Sequence, residues 1–137
     1  MATNDLNLQV IEEFRANAGR VGGRYEGRPL LLLTTTGRQT GRTHTTPVMY
    51  LAEGGDYCVF ATKAGAPQHP SWYLNLVANP RVTVEVGAAR FEAQARVAGP
   101  QERDALYRKQ ASLYAQFAEY ERKTTRTIPV VRLTRTS

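Results

Sequence analysis

The sequence contains little of the residue chemistry that metal sites and disulfides require. Its 137 residues include a single cysteine, Cys58, and two histidines, His44 and His69, which are far apart in the chain. One cysteine excludes an intramolecular disulfide and any multi-cysteine metal site, and no HExxH motif or carboxylate cluster accompanies the histidines. We therefore predict no metal site. Cys58 lies in an apolar strand pattern, where a thiol is expected to be buried and unreactive.

Several catalytic motifs are also absent. There is no GxSxG motif of a serine hydrolase and no carboxylate pair of the kind that a glycosidase uses. Neither a phosphate-binding loop ending in GKS or GKT nor the GxGxxG dinucleotide fingerprint occurs. If the protein is an enzyme, its reactive group is therefore expected to come from a cofactor, while the side chains provide binding and orientation.

Long hydrophobic segments are missing as well. No apolar stretch approaches the roughly 18 residues that a membrane-spanning helix needs. The N-terminus lacks the basic segment followed by an apolar segment that marks a secretory signal. A single cysteine suits a reducing compartment, so we expect a cytoplasmic protein.

What the chain has in excess is positive charge. It carries 18 Lys and Arg against 12 Asp and Glu, a net charge of +6, and its pI is about 9.8. This balance favours anionic partners. We predict no nucleic-acid partner, because the cations form no consecutive block and are not interleaved with aromatic residues. Those of the first half lie mostly near glycines: Arg20, Arg24, Arg28, Arg38, Arg42 and Lys63.

The hydrophobic pattern predicts a mainly β fold with inserted helices. Alternating or β-branched segments predict strands at residues 30–36, 46–51, 57–62, 81–86, 90–97 and 128–133. Helical spacing predicts an amphipathic N-terminal helix within residues 1–19, a short helix at 69–77 and a helical region at 101–122. Because the first strands are too close for helical crossovers, we expect an antiparallel sheet that curls into a small barrel within one domain, 1–137.

The stretch 34–47 (TTTGRQTGRTHTTP) carries more polar chemistry than a hairpin connection needs. Its backbone N–H groups, hydroxyls and arginines suit an anion, especially a phosphate. Lys63 follows the third predicted strand and is expected to approach this stretch, so that it converges with Arg38, Arg42 and His44. The alternative is a solvated hairpin and four unrelated surface cations.

Two groups of aromatic residues each have two interpretations. Trp72 either forms the wall of a pocket for a planar ring or anchors the short helix in the core. The second group either packs its helix on the sheet or lines an apolar cavity with hydroxyl groups at its rim; it consists of Tyr114, Phe117 and Tyr120.

The motifs, taken in order, resemble the deazaflavin-dependent nitroreductase family, and within it the F420-dependent quinone reductases. The resemblance extends from about residue 21 to residue 133. It rests on residues 29–42 (PLLLLTTTGRQTGR), 46–47 (TP), 61–66 (ATKAGA), 70–76 (PSWYLNL), 78–80 (ANP) and 126–130 (RTIPV).

This resemblance implies a split β-barrel related to FMN-binding oxidoreductases of the pyridoxamine-oxidase type, in agreement with the predicted antiparallel barrel. It implies hydride transfer from reduced coenzyme F420, a deazaflavin, to a quinone such as menaquinone or to a nitroaromatic compound. The phosphate and oligoglutamate tail of the coenzyme would explain the basic bias. Barrels of this class often form homodimers, and a quinone acceptor favours peripheral membrane contact, for which the N-terminal helix is a candidate.

By position, the resemblance assigns the phosphate and tail of the coenzyme to Arg38, Gln39, Thr40, Gly41 and His44, with Thr62 and Lys63 closing the site. It assigns the deazaflavin ring to Ala61, Ser71 and Trp72, with Met49 beneath or beside the ring. It assigns the acceptor pocket to Tyr114, Phe117 and Tyr120. No side chain is an obligate acid or base in this assignment; solvent or Tyr120 supplies the proton.

The chain departs from the family pattern at charged positions. Gln39 stands where lysine is frequent and His44 where arginine is frequent, so Arg38, Arg42 and Lys63 are expected to carry more of the anion binding. Phe117 lacks the hydroxyl of a tyrosine that lines a nitroimidazole pocket, which disfavours nitroimidazole reduction relative to quinone reduction. Two alternatives stay open: an FMN-dependent oxidoreductase on the same barrel, and a non-catalytic deazaflavin carrier.

Overall fold

The computed structural model describes residues 5–136; residues 1–4 and 137, including the start of the predicted N-terminal segment 1–19, lie outside the described part. Within it, helices and strands follow one another as α1 (Asp5–Ala16), β1 (Leu30–Thr36), β2 (Thr43–Glu53), β3 (Asp56–Phe60), α2 (Ser71–Ala78), β4 (Arg81–Val86), β5 (Ala89–Val97), α3 (Pro100–Leu113), α4 (Gln116–Lys123) and β6 (Val130–Arg135). Short 3-10 turns occur at Gly23–Tyr25 and Lys63–Gly65.

The strands form a closed antiparallel barrel in the order β1-β2-β3-β6-β5-β4, which confirms the predicted barrel. The β1–β2 hairpin runs in register from Leu30 opposite Met49 to Thr36 opposite Thr43. The barrel closes where β1 also pairs with β4, with Leu33 opposite Val84. Closure leaves each of these strands paired on both sides, so the ends of the hairpins gather at the barrel rim.

The leucine run of β1 is buried on both faces of the sheet. Leu31 and Leu33 point into the barrel interior, whereas Leu30 and Leu32 lie in a second cluster under α1. Such continuous apolar runs are typical of strands that are covered on both sides. Burying each leucine contributes about 1.5–3 kcal/mol, so this strand is a rigid base for the turn that follows it.

Helix α1 lies across the barrel with its apolar face inward. Val10, Ile11 and Phe14 are buried against the leucines of β1. Arg15 fastens the helix to β4 through two hydrogen bonds to the carboxylate of Glu85, at 3.0 and 2.9 Å. The predicted apolar face therefore packs on the barrel. No helix among residues 5–136 is long and apolar enough to cross a bilayer.

Two differences from the prediction bear on the site, while the ends of α2, β3 and β6 shift by one or two residues. Strand β2 begins at Thr43 instead of residue 46, so the connection shrinks to residues 37–42 and most hydroxyls of the stretch 34–47 lie on strands. Threonines favour extended backbone, and Thr34 and Thr45 share a hydrogen bond of 2.8 Å between their hydroxyls across the hairpin. The helical region 101–122 is broken, because Tyr114 adopts an extended conformation between α3 and α4.

Candidate functional site

A basic cavity of about 570 Å³ opens between the β1–β2 connection, the Lys63–Gly65 turn and the start of α2. Its lining consists of Asn7, Thr35, Gly37, Arg38, Gln39, Thr40, His44, Thr45, Thr46, Lys63, Pro70, Ser71, Trp72 and Asn75. No Asp or Glu of the described residues is among them, whereas two further cavities each include a carboxylate. The local field of the basic cavity therefore favours an anion.

Arg38 is held at the rim of the basic cavity by a residue from α2. The backbone N–H and the Nη1 of Arg38 both donate to Oδ1 of Asn75, at 3.2 and 2.8 Å. Asn75 is 5% exposed, and its Nδ2 donates to Oγ1 of Thr35 at 3.3 Å. Because Asn75 is neutral, it fixes the guanidinium without cancelling its charge.

The connection 37–42 is a tight turn closed by backbone hydrogen bonds. The N–H of Gly37 donates to the carbonyl of Arg42 at 2.7 Å, and the N–H of Gly41 donates to the carbonyl of Gly37 at 3.0 Å. A Cβ at Gly37 would lie 3.1 Å from Nε2 of His44 and from Oγ1 of Thr40. Glycine at this position thus lets two lining side chains pack against the turn.

Lys63 reaches the basic cavity from an unusual backbone conformation. Lys63, Ala64 and Gly65 have φ values of 45°, 54° and 81°, all in the left-handed region. Residues with a Cβ adopt this region at a cost of roughly 1–2 kcal/mol. The turn therefore depends on contacts from its surroundings, and it directs a cation toward the cavity that also receives Arg38.

Trp72 lies both in the core and in a cavity wall. It is 8% exposed and belongs to the interior cluster of the barrel, and it also lines the basic cavity beside Ser71. A buried indole in the wall of a polar cavity provides a flat apolar surface for a planar group. The cavity thus combines cations with an aromatic wall.

The basic cavity gathers seven of the twelve residues assigned to the coenzyme: Arg38, Gln39, Thr40, His44, Lys63, Ser71 and Trp72. The other five do not line it. Gly41 and Arg42 belong to the turn beside it, Ala61 and Thr62 precede Lys63, and Met49 lies on β2 with its Sδ 3.9 Å from Nε2 of Gln116. Arg42 therefore does not converge with Arg38 and Lys63 on the lining of this cavity.

The aromatic residues assigned to the acceptor form a separate patch. Phe117 is 4% exposed and packs edge-on against Phe60 and Tyr120. Gln116 donates to the hydroxyl of Tyr120 at 3.3 Å and accepts from Arg28 at 3.1 Å. The Arg28 guanidinium also lies 5.2 Å from the ring centre of Tyr114. Tyr114 and Tyr120 are half-buried, unlike Phe117.

The lone cysteine and the possible metal ligands lie outside any shared site in the described part of the chain. Cys58 is fully buried, as predicted, and burial raises the pKa of its thiol to about 11, so the thiolate is rare near neutral pH. Within residues 5–136, no group of three or more His, Cys, Asp or Glu side chains is arranged to hold a metal ion. The arrangement suits binding and orientation of an anionic planar molecule.

Sequence reasoning missed two residues with several contacts at or next to the basic cavity, Asn75 and Arg126. Asn75 was visible as the one amide in the apolar helix Ser71–Ala78, where a buried polar residue needs partners. Arg126 lies outside the cavity lining and gave no local signal beyond its place in the RTIPV motif. Its partners lie between 57 and 65 residues away in the sequence.

Comparisons with known proteins agree with this geometry. The family model described as F420H(2)-dependent quinone reductase matches residues 8–135. The chain is 39% identical over 128 residues to an F420H(2)-dependent quinone reductase of Mycobacterium tuberculosis H37Rv, a match that covers 89% of this chain and 85% of the relative.

Solved structures show the same relationship. A structure named F420-H2 dependent reductase (FDR-A) matches with a TM-score of 0.71 at 40% identity, covering 77% of this chain and 94% of the other. A domain-swapped dimer matches with a TM-score of 0.73 at 34% identity, covering 93% and 96%.

The fold alone is shared more widely. A Listeria innocua structure named for a pyridoxamine 5'-phosphate oxidase matches with a TM-score of 0.57 at 12% identity, covering 97% of this chain and 93% of the other. This confirms the predicted relation of the barrel to the pyridoxamine-oxidase type. Together with the sequence identities and the motifs in their order, the matches confirm the resemblance, and the chain belongs to the family of F420H(2)-dependent quinone reductases.

Proposed function

We propose that this chain binds reduced coenzyme F420 in the basic cavity and transfers a hydride from it to a quinone. One observation carries the proposal: Arg38 and Lys63, from separate segments, line one cavity whose described lining includes no carboxylate and includes Trp72. A planar ring with a phosphate and an anionic tail needs this combination of an apolar wall and cations. Membership of the family supports both the coenzyme and the acceptor class.

In this proposal the two ends of the cavity hold different parts of the coenzyme. Arg38 and Lys63 bind the phosphate and the start of the tail, assisted by Gln39, Thr40 and His44. Ser71 and Trp72 bind the deazaflavin ring. The residues next to the lining act indirectly or through backbone groups, and they are Gly41, Arg42, Met49, Ala61 and Thr62.

The side chains contribute mainly through position. Bound reduced coenzyme supplies a hydride from its central ring carbon to the acceptor. Trp72 holds a ring plane in the cavity wall and keeps water from one face, which favours transfer by proximity. Tyr120 is the candidate proton source: its oxygen accepts a hydrogen bond from Gln116 Nε2, so its own proton remains free to be donated to the acceptor oxygen.

We propose quinones such as menaquinone as the acceptors that are reduced fastest, and nitroaromatic compounds as slower ones. Phe117 is buried against Phe60 and offers no hydroxyl to a nitro group. Tyr114 and Tyr120 have hydroxyls and border the same patch. A steady-state comparison of a menaquinone analogue with a nitroimidazole, both with reduced F420, tests the preference. Faster nitroimidazole turnover would contradict it.

The binding site is tested by titrating F420 against the fluorescence of Trp72, the only tryptophan. Arg38→Ala and Lys63→Ala are each expected to remove about 1–3 kcal/mol of charge-assisted binding, roughly 5- to 150-fold in affinity. Arg108→Ala is the matched control, because Arg108 is an exposed cation outside the cavity lining. Unchanged affinity in both cavity variants would reject the site.

The same titration, repeated with FMN and combined with a quinone turnover assay, separates the two alternatives. FMN binding at micromolar concentration without a response to F420 would favour the FMN-dependent oxidoreductase. F420 binding without turnover of any quinone would favour a deazaflavin carrier.

We also propose that the protein forms a homodimer, as one similar structure does by domain swapping, and that it contacts membranes peripherally to reach quinones. Light scattering after size-exclusion chromatography tests the first proposal. Flotation with anionic vesicles tests the second. Because the apolar face of α1 is packed on the barrel, membrane contact would have to use other surfaces or require release of α1.

A further inference from the structure

Arg126 lies directly behind the basic cavity and is bound almost entirely by backbone carbonyls. Its Nε donates to the carbonyl of Ala66 at 2.9 Å. Its Nη2 donates to the carbonyls of Ala61 at 3.2 Å and Thr62 at 2.9 Å. Its Nη1 lies 3.0 Å from Nδ1 of His69. Among the side chains that the structure describes, no carboxylate pairs with this guanidinium, so its contacts serve the backbone around it.

These carbonyls belong to the two ends of the left-handed turn that carries Lys63. Thr62 and Ala66 flank Lys63, Ala64 and Gly65, and the turn itself has backbone hydrogen bonds from Gly65 to Thr62 at 2.9 Å and from Ala66 to Lys63 at 3.0 Å. Lys63 and Ala64 are non-glycine residues at positive φ, a conformation that persists only where the surrounding structure holds it. The guanidinium adds a link between both ends.

Helix α4 also packs closely on the turn. A Cβ at Gly65 would lie 2.8 Å from Cβ of Lys123 and 3.0 Å from the carbonyl oxygen of Tyr120. Contacts with α4 and hydrogen bonds from Arg126 thus both restrain the turn that carries Lys63.

Arg126 joins this turn to the second segment of the cavity wall. Arginine has no acceptor atom, so Nδ1 of His69 must accept, and the ring proton resides on Nε2. The other titratable group that faces His69 is the ring of Tyr73, with centroids 4.9 Å apart. His69 precedes Pro70, Ser71 and Trp72, which line the cavity. One guanidinium therefore links the cation side of the cavity to its aromatic side.

We propose that Arg126 is a positioning residue that fixes the separation between Lys63 and the Ser71–Trp72 segment, and so sets coenzyme affinity without lining the cavity. This inference rests on the proposed function. Lysine cannot replace arginine here. Three carbonyls and an imidazole nitrogen surround the planar guanidinium, and a single ammonium group cannot reach all four. The charge of Arg126, close behind the wall, also adds to the field that attracts an anion.

The test combines Arg126→Lys with Lys63→Met, alone and together, and measures the Kd of F420 in variants shown by circular dichroism to be folded. Arg132→Lys is the matched control. Arg132 is also a part-buried arginine that donates to a backbone carbonyl, that of Glu53, at 3.0 Å, and its carboxylate partners Asp56 and Glu102 lie outside α4 and the cavity lining. The substitution should lower thermal stability without moving the Lys63 turn.

We expect Arg126→Lys to weaken F420 binding at least fivefold and Arg132→Lys to change it less than twofold. Lys63→Met should cost less in the Arg126→Lys background than in the wild type, because the misplaced lysine already contributes less. Two results would overturn the positioning role while leaving the proposed function intact. One is wild-type affinity in Arg126→Lys. The other is a double variant whose fold-change in Kd equals the product of the fold-changes of the two single variants. Unchanged affinity in Lys63→Met alone would show that Lys63 does not bind the coenzyme and would overturn the Arg126 role; only unchanged affinity in Arg38→Ala as well would reject the proposed coenzyme site.

If Arg126→Lys does not fold, the partner residue gives the same answer. His69→Asn keeps an acceptor oxygen near the position of Nδ1, whereas His69→Leu removes it. We expect F420 affinity to be retained in the first variant and weakened at least threefold in the second. Equal affinity in both variants would overturn the proposal.

Discussion

Arg38 donates two hydrogen bonds to one oxygen of Asn75, from its backbone N–H at 3.2 Å and from its guanidinium at 2.8 Å. The β1–β2 turn and α2 are therefore joined at the point where the basic cavity begins. A neutral acceptor orients Arg38 but leaves its charge available, which distinguishes Asn75 from an ion-pair partner.

This relationship predicts that two substitutions of Asn75 affect different properties, stability in one case and F420 binding in the other. Asn75→Leu leaves Arg38 and Thr35 without their partner and should lower the free energy of unfolding by about 1–3 kcal/mol. Asn75→Asp keeps an acceptor for Arg38 but introduces a carboxylate into the cavity wall, so it should weaken F420 binding with a smaller loss of stability. Denaturant unfolding and F420 titration of both variants separate the two effects. Tighter F420 binding in Asn75→Asp would contradict the anion assignment.

Gly65 provides a prediction with an internal control. Gly65 and Gly55 have similar positive φ values, 81° and 86°, but only Gly65 has neighbours that a Cβ would meet. Gly55→Ala should cost roughly 1 kcal/mol of stability, the penalty of the left-handed backbone alone. Gly65→Ala should cost more and should also weaken F420 binding, because α4 or the Lys63 turn must move. Similar results for the two variants in both measurements would show that the turn is not confined by α4.

The environment of His69 predicts a dependence of stability on pH. Burial, and then the nearby charge of Arg126, lower the pKa of His69 below its ordinary value of 6.5. The folded protein thus binds this proton less readily than the unfolded chain does. The contribution of neutral His69 to the free energy of unfolding is therefore complete above pH 6.5, and it decreases as the pH falls from 6.5 toward the lowered pKa.

Chemical denaturation between pH 5 and 7.5 measures this effect. His69→Asn, which cannot titrate, should flatten the decrease in this interval. Identical pH profiles for the wild type and the variant would exclude His69 as the responsible group.

Gln110 predicts a stabilising substitution. It is fully buried in α3, and neither Nε2 nor Oε1 has a hydrogen-bond partner within the described chain. Desolvating an unsatisfied polar group costs about 1–3 kcal/mol. Gln110→Met keeps the length of the side chain and removes both polar atoms, so the free energy of unfolding should increase by an amount in this range. A decrease would show that the amide is hydrogen-bonded in solution, for example to an ordered water.

The elements that sequence alone predicts well are those set by local periodicity. The alternation of residues 81–86 specifies β4 with its bounds, and the leucine run specifies β1. The hairpin extends beyond its prediction because Thr43, His44 and Thr45 continue the ladder with β1. That extension depends on pairing across the sheet, which single-segment patterns do not contain.

The contacts that hold the lining residues of the basic cavity in place are harder to predict from local sequence patterns. Arg38 and Asn75 are 37 residues apart, and Arg126 meets Ala61 across 65 residues. Motifs indicated the lining residues Arg38, Lys63 and Trp72, because their chemistry suits an anionic planar ligand. The residues that hold them interact over long separations, and only the closed barrel brings them together.

The lack of carboxylates in the wall of the basic cavity has a consequence for the choice of buffer. Inorganic phosphate and sulfate present the same kind of charged oxygens as a coenzyme phosphate, and they compete for the donors of Arg38 and Lys63. Salt at 0.1 M also screens charges beyond about 10 Å. F420 should therefore bind more weakly in phosphate buffer than in a zwitterionic buffer of equal ionic strength, and this difference should shrink in Lys63→Ala. The buffer anion is thus a competitor of F420, and each reported Kd should state which anion was present.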